Sequence, residues 1–165
     1  STALKNGALG GEQEDLFVGQ MTALNAPAAR AMVALEAHAC TDVTGFGLIG
    51  HALEMAVGSD VTLAININAV PLLPEALYLA SHGVLTGGGA TNIEFASISV
   101  TFEGKVSREQ KMVLHDPQTS GGLLISLPAG RADDLVDTVR DSGAGYAAVI
   151  GEVLPQGDKP IIIRG

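Results

Sequence analysis

The sequence predicts an α/β (α+β) domain in which a mixed sheet is flanked by helices. Hydrophobic residues make up 47% of the 165 positions and charged residues only 16%, so the chain is apolar enough to bury a core. Apolar residues alternate with polar ones at 61–68, whereas at 28–38 they recur at helical spacing. A chain of this length makes one compact domain, residues 1–165, the default expectation.

Helical spacing and end signals place the helices. Ser107 and Gln110 have the spacing of a capping box, and Pro117 must end the short helix that follows them. Gly83 and Gly143 are expected to close two further helices. The predicted helices are 28–38, 48–58, 75–82, the segment from Ser107 to before Pro117, and 131–141.

Period-two alternation and β-branched residues predict the strands at 61–67, 98–102, 123–127 and 147–153. If the last two strands are parallel, the helix between them makes a βαβ crossover. Residues 85–92 contain three consecutive glycines and no periodicity, which predicts a loop. Residues 1–14 are Gly-rich and lack a core pattern, so we expect an arm or linker that continues from a missing N-terminal half.

Composition excludes several classes of function. The formal charge is −9 and no basic stripe is present, so neither nucleic acid nor an anionic membrane is an expected partner. No stretch approaches the ~20 uninterrupted apolar residues of a membrane span. Cys40 is the single cysteine, which excludes an internal disulfide and a multi-cysteine metal site and suits a cytoplasmic location.

The segment 41–47, Thr-Asp-Val-Thr-Gly-Phe-Gly, opens directly into a predicted helix. Backbone N–H groups at a helix start favour phosphate oxygens, and Gly45 and Gly47 leave that backbone without a Cβ in the way. Asp42 could ligate a Mg²⁺ ion that bridges to the same phosphates. The structural alternative is that Thr44 caps the helix, Asp42 stabilises the turn and the glycines merely permit it.

A second polar segment, 116–122, reads Asp-Pro-Gln-Thr-Ser-Gly-Gly and lies between a helix end and a strand. It collects an acid, an amide, two hydroxyls and two glycines, all able to bond a polar ligand. The alternative is an ordinary Pro-Gly turn. Two such loops in one small domain raise the odds of a shared anion site.

The same two segments carry a resemblance to a known family. They extend to 39–51, ACTDVTGFGLIGH, and to 116–124, DPQTSGGLL, with shorter agreement at 21–25, 70–73, 88–92 and 149–153. From about residue 3 to the C-terminus the chain resembles the C-terminal domain of selenophosphate synthetases. That family belongs to a wider ATP-using group that includes aminoimidazole ribonucleotide synthetase and thiamine-phosphate kinase.

The resemblance implies the C-terminal-domain fold of that group and a reaction in which ATP, selenide and water give selenophosphate, AMP and phosphate. It assigns the metal and phosphate-site carboxylate to Asp42, with ATP and Mg²⁺ as cofactors. The nucleotide site is then expected to include Thr41, Thr44, Gly45, Gly47, Gln118, Thr119, Ser120, Gly121 and Gly122.

The family's catalytic Cys or selenocysteine, its Lys and its other Mg²⁺-binding acids lie in an N-terminal half that nothing in this chain matches. We therefore expect no catalytic residue here and no activity from the chain alone. The implied partners are that N-terminal half and a second copy of the full-length enzyme in a homodimer. Cys40 stands in the wrong motif to be the nucleophile and is expected to be a buried structural thiol.

Two other functions stay open from the sequence. The chain could be the C-terminal domain of another ATP-dependent member of the wider group, with a ribonucleotide or thiamine phosphate as substrate. It could also be a non-catalytic interaction module whose glycine loops are only turns. The histidines show no metal-ligand spacing, and His51 is expected to be a hydrogen-bonded packing residue at the core.

Overall fold

The computed structural model describes residues 2–7, 10–84, 86–143 and 146–165. Eight helices and six strands are formed within these ranges. In chain order they are α1 Thr2–Lys5, α2 Glu12–Thr22, α3 Ala26–Ala34, β1 Ala39–Asp42, α4 Gly47–Gly58, β2 Val61–Asn66, α5 Ala76–Ser81, α6 Gly87–Ala96, β3 Val100–Glu103, α7 Arg108–Leu114, β4 Leu123–Ser126, α8 Ala132–Asp141, β5 Gly151–Pro155 and β6 Ile161–Arg164.

The strands form two sheets. The larger has the order β3-β6-β2-β5, with β6 parallel to both β2 and β3 and with β5 antiparallel to β2. The smaller pairs β1 with β4 in antiparallel fashion. A mixed sheet with flanking helices is therefore confirmed, and the small second sheet is an addition to the prediction.

The main core lies between α4 and the larger sheet. Ile49, Ala52 and Ala56 project from one side of α4 and are fully buried, as are Ile161 and Ile163 on β6. This spacing of three and four residues is the apolar stripe that places a helix on a sheet. A second, smaller cluster joins α3 to α8 through Ala31, Leu135 and Val139.

β2 differs from the predicted half-buried strand because its residues from Thr62 to Ile65 are all buried. On the second face of the strand, Thr62 is held against the segment 157–159 by two hydrogen bonds. Thr62 Oγ1 donates to the Lys159 carbonyl at 2.9 Å and accepts from the Gly157 N–H at 2.9 Å. The alternating pattern therefore predicts the strand correctly. The expectation that one face of this strand is exposed to solvent is wrong.

The condition for a βαβ crossover around α8, two parallel strands in one sheet, is not met. β4 belongs to the smaller sheet, and the strand after α8 is antiparallel to β2 in the larger one. The parallel partner at the centre of the sheet is β6, which the prediction missed. At 161–164 it is short and ends the chain, so it offers little periodicity to recognise.

The segment 85–92 was predicted as a loop, but α6 begins within it at Gly87. Glycine disfavours a helix by about 1 kcal/mol per residue, yet Asn92 and Ala96 are buried by tertiary packing that overrides this propensity. Leu85 lies outside the described residues. α3 likewise ends earlier than predicted, at Ala34, because Glu36 has a left-handed φ of 55° before β1 begins.

The predicted arm, 1–14, contains α1 and the start of α2, and Ala3 is buried. Residues 1, 8 and 9 of this arm lie outside the described ranges. That the arm continues from another half, and that 1–165 is a single domain, stay predictions. None of the helices that the described residues form is both long and apolar enough to cross a membrane.

The position of β6 predicts a large cost for shortening its core side chains. We expect Ile163→Ala to lower the free energy of unfolding by about 2 to 5 kcal/mol, because Ile163 is fully buried between β2 and β3. Ile98 is 78% exposed, so Ile98→Ala should change it by less than about 0.5 kcal/mol. Urea unfolding followed by circular dichroism measures both, and equal effects would contradict the placement of β6.

Candidate functional site

The two polar segments are joined by main-chain hydrogen bonds. Asp42, at the end of β1, pairs with Leu123 at the start of β4. Beyond the strands, the Val43 N–H donates to the Gly122 carbonyl at 2.9 Å and the Gly121 N–H donates to the Val43 carbonyl at 3.1 Å. The backbone therefore brings the two loops together, and a shared anion site at this point stays a prediction.

Gly121 is required for this contact. A Cβ at that position would lie 2.1 Å from the Val43 carbonyl oxygen, which no real side chain tolerates. The link continues at the next residue, where the Gln118 N–H donates to the Thr44 carbonyl at 3.0 Å. The Asn25 amide also donates to the Gly121 carbonyl at 3.2 Å, so the start of α3 holds the same loop.

Asp42 is exposed, because alternation along β1 turns Cys40 and Asp42 outward while Ala39 and Thr41 are half-buried. Its carboxylate thus faces solvent at the point where the chain leaves the strand and enters residues 43–47, which we call the 43–47 turn. The Thr41 hydroxyl donates to the Asp42 carbonyl at 3.3 Å. A carboxylate with this access is free to meet a cation.

The 43–47 turn ends at α4, whose N-cap residue is Phe46. No side chain caps the helix there, so the first amides of α4 have no side-chain partner. Gly45 is exposed, and a Cβ built on it meets open space. The structural alternative, in which Thr44 caps the helix, is not what the structure shows, because the Thr44 hydroxyl lies 3.1 Å from His51 Nε2 instead.

Gly47 does not have the role first assigned to it. It is buried with φ at +68°, and a Cβ would lie 2.7 Å from the His115 carbonyl carbon. The missing side chain of Gly47 allows the left-handed turn and the close packing of α4 on α7. The glycine whose backbone is exposed at the surface is Gly45. We retain Gly47 among the site residues only as the residue that shapes the turn.

His51 is buried on α4 and bonds two side chains. Besides the Thr44 contact, its Nδ1 lies 3.1 Å from Glu54 Oε2. The expectation of a hydrogen-bonded packing residue is confirmed. The sequence did not connect it to Thr44, because the side-chain hydrogen bond spans seven positions across a turn and a helix.

Asp116 is a second carboxylate of the site, and it is half-buried. Burial raises the pKa of Asp116, while hydrogen bonds from the Thr86 hydroxyl at 2.8 Å and from the Gln118 amide at 3.3 Å oppose that rise. Thr86 immediately precedes α6. The hydrogen bond from Thr86 thus connects the start of the triple-glycine helix to the second polar loop, a contact that the sequence did not predict.

α6 approaches both loops closely. A Cβ on Gly88 would lie 2.9 Å from Pro117 Cγ, which explains a glycine in the first turn of this helix. The Asn92 amide donates to the Gly45 carbonyl at 3.0 Å and to the His115 carbonyl at 2.9 Å. Asn92 is thus a positioning residue for the 43–47 turn, signalled in the sequence only by its place after the glycines.

The remaining predicted residues lie along the second loop. Thr119 and Gly122 are exposed, and Ser120 is half-buried. The Gln118 amide also donates to the Asp116 carbonyl at 3.0 Å, which orders the start of the loop. Within the described ranges, none of these side chains forms a hydrogen bond with the Asp42 side chain.

Asp42 could hold a metal only as part of a shared site. Within the described ranges, no group of three or more His, Cys, Asp or Glu side chains could hold a metal ion. Mg²⁺, however, usually keeps several waters and takes one or two protein carboxylates together with substrate phosphates. One exposed carboxylate, near backbone N–H groups that no side chain caps, fits a Mg²⁺ site that is completed by substrate phosphates. It does not fit a site made of protein ligands alone.

Cys40 is exposed, so the prediction of a buried thiol is wrong. β1 is an edge strand, and its outward face carries Cys40 as well as Asp42. Partial burial, followed by the charge of Asp42, raises the pKa of the Cys40 thiol. A raised pKa disfavours the thiolate, which supports the expectation that Cys40 is not a nucleophile.

The packing of Gly47 gives a stability prediction. Gly47→Ala should lower the free energy of unfolding by about 2 to 4 kcal/mol, because a left-handed φ and a backbone clash add together. Gly45→Ala, with open space around its Cβ, should have a much smaller effect. Chemical denaturation of the two variants checks this, and a Gly47→Ala variant as stable as Gly45→Ala would contradict it.

The buried His115 gives a pH prediction. Burial lowers its pKa, although the hydrogen bond of Nδ1 with the Lys111 carbonyl opposes the shift. The unfolded chain therefore binds the proton more tightly than the folded chain, so this group stabilises the fold above about pH 6.5 and loses that contribution as pH falls towards its folded pKa. NMR titration of His115 in folded and urea-unfolded chain measures both values. A folded pKa equal to or above the unfolded one would overturn the assignment.

Comparison with known proteins places the chain in a family. Residues 6–163 match the model of the family described as "AIR synthase related protein, C-terminal domain". A "Selenide, water dikinase" of Pelobacter propionicus is 42% identical over 164 residues, which are 99% of this chain and 47% of that protein. "Selenide, water dikinase 2" of Peptoclostridium acidaminophilum is 41% identical over 163 residues, again 99% of this chain and 47% of that protein.

The chain spans about half the length of the curated relatives that it matches. The match to the family model, in contrast, covers nearly all of the chain and includes every residue of the two joined loops. The chain therefore belongs to the family of AIR synthase related proteins, as a C-terminal domain of that family.

Proposed function

We propose that this chain is the C-terminal ATP and Mg²⁺ site domain of an enzyme that makes selenophosphate, AMP and phosphate from ATP, selenide and water. The observation that carries the proposal is the main-chain pairing of Val43 with Gly121 and Gly122. Asp42, directly before Val43, is exposed, and it is followed in the chain by the exposed Gly45 and by the start of α4, which no side chain caps. The curated relatives are named as dikinases of selenide and water, which supports this choice of reaction.

Phosphoryl transfer depends mostly on positioning and on neutralising charge, and this chain offers parts for both. Asp42 would hold the Mg²⁺ ion, which supplies charge neutralisation of the phosphates. The backbone N–H groups of residues 44–46, and those that follow Gly47 in the first turn of α4, would face the phosphate oxygens, whereas the Val43 and Gly47 N–H groups already donate to the Gly122 and Thr44 carbonyls. The loop 118–122 would line the opposite side of the cleft.

The rest of the site would come from an N-terminal half. The curated relatives are about twice as long as this chain, and we assign the nucleophile and the other metal-binding acids to that half. An exposed apolar patch beside the turn would be the surface on which that half docks. It consists of Phe46 and Phe95, whose rings stack with centroids 6.2 Å apart while the residues are 49% and 61% exposed. The full enzyme would be a cytoplasmic homodimer.

A chimera tests the proposal directly. The chain would replace the matching C-terminal segment of the Pelobacter propionicus relative, and selenide-dependent AMP release would be measured. We expect activity from the chimera and none from the 165-residue chain alone. A folded, dimeric chimera that releases no AMP would contradict the assignment to this enzyme.

Asp42→Asn tests the cation role within that chimera. Loss of the negative charge that Asp42 would offer to the cation should lower kcat by about 100-fold or more, in the range seen when one electrostatic group of an active site is removed. Asp137→Asn is the matched control, because Asp137 is exposed on α8 and makes no side-chain hydrogen bond or ion pair with the described residues. Equal activity of the two variants would remove Asp42 from the site.

A further inference from the structure

The imidazole of His51 lies behind the 43–47 turn with a partner on each nitrogen. Nε2 is 3.1 Å from Thr44 Oγ1, and Nδ1 is 3.1 Å from Glu54 Oε2. The His51 side chain is 9% exposed whereas that of Glu54 is 56% exposed, so a solvated carboxylate fixes a buried ring. The Phe46 ring covers it, with centroids 5.5 Å apart.

The chemistry of these partners sets the direction of both hydrogen bonds. An ionised carboxylate can only accept, so the proton of a neutral imidazole is placed on Nδ1, facing Glu54. Nε2 then has only a lone pair and must accept from the Thr44 hydroxyl. The single hydroxyl proton of Thr44 is thereby directed into the protein.

We propose that His51, oriented by Glu54, is a positioning residue that makes Thr44 an acceptor towards the bound ligand. Thr44 then presents only oxygen lone pairs at the site. It can contact a divalent cation or a water bound to that cation, but it has no proton to donate to a phosphate oxygen.

The identity of the ligand, a cation-bound nucleotide, rests on the proposed function. The site then has a cation side and a phosphate side. Asp42 and Thr44 stand two residues apart in the chain, and both offer oxygen acceptors to the cation. The phosphate oxygens are left to the backbone N–H groups that follow them. From the sequence, the Thr44 hydroxyl is expected to contact the nucleotide directly. In this proposal its oxygen faces the cation instead.

The tautomer of His51 can be measured in the 165-residue chain without any ligand. Long-range ¹H–¹⁵N NMR at about pH 8, where an unperturbed imidazole is neutral, should show the Nδ1–H tautomer. His115 is an internal reference, because its Nδ1 lies 2.6 Å from the Lys111 carbonyl, which can only accept. An Nε2–H tautomer or an imidazolium at His51 would overturn the proposal.

Glu54→Met tests the orienting carboxylate. Removing the acceptor should move the tautomer population of His51 towards Nε2–H, while a merely structural role for Glu54 would leave it unchanged. Glu94→Met is the matched control, because Glu94 is exposed on α6 and its side chain makes no hydrogen bond or ion pair with the described residues. No shift in Glu54→Met relative to Glu94→Met would overturn the role of Glu54.

The chimera then separates the cation side from the phosphate side. Glu54→Met and Thr44→Val should each raise the half-saturating Mg²⁺ concentration by about tenfold, as is typical when partners of metal-site residues are lost, with little change in the KM for ATP. Thr44→Ser keeps the hydroxyl and should restore most of the Mg²⁺ affinity that Thr44→Val loses. A raised KM for ATP with an unchanged Mg²⁺ requirement would overturn the acceptor role. An inactive chimera would count against the proposed function, and the tautomer would still decide the role of His51.

Discussion

The antiparallel pairing of β1 with β4 is the interaction on which the candidate site depends. It fixes Asp42 opposite Leu123, and the ladder continues past both strands through the hydrogen bonds of Val43 with Gly121 and Gly122. Main-chain bonds of this kind leave little freedom, since any side chain at Gly121 would collide with the Val43 carbonyl. The two polar loops therefore act as one structural unit, although residues 48–115 separate them in the chain.

α4 couples this unit to the core. One side of the helix buries Ile49, Ala52 and Ala56 against the larger sheet, while its start carries Gly47 and the turn, and His51 reaches back to Thr44. Asn92 on α6 adds a second support by bonding the turn and the end of α7 together. Positions held in this way are set before a ligand arrives, which is the condition for electrostatic catalysis without reorganisation.

The charge of the site explains why a cation and a partner are both part of the proposal. Asp42 and Asp116 are carboxylates, and no Lys or Arg side chain forms a hydrogen bond to either loop within the part of the chain that the structure describes. A nucleotide triphosphate would meet like charge here, on a chain whose formal charge is already −9. Mg²⁺ on Asp42 and basic groups from the N-terminal half would relieve that repulsion.

The sequence by itself determined the fold class, the capping box at Ser107, the strand at 61–66 and the two motifs, because each is a local pattern of spacing or of residue type. Only the tertiary structure decided that the motifs meet, that the glycines at 87–89 begin a helix, and that the exposed backbone belongs to Gly45 while Gly47 is buried. Two expectations from the sequence fail for one physical reason: β6 was not predicted, and Cys40 was expected to be buried but is exposed. Strand order and the exposure of an edge strand are set by contacts between distant residues, which no local periodicity records.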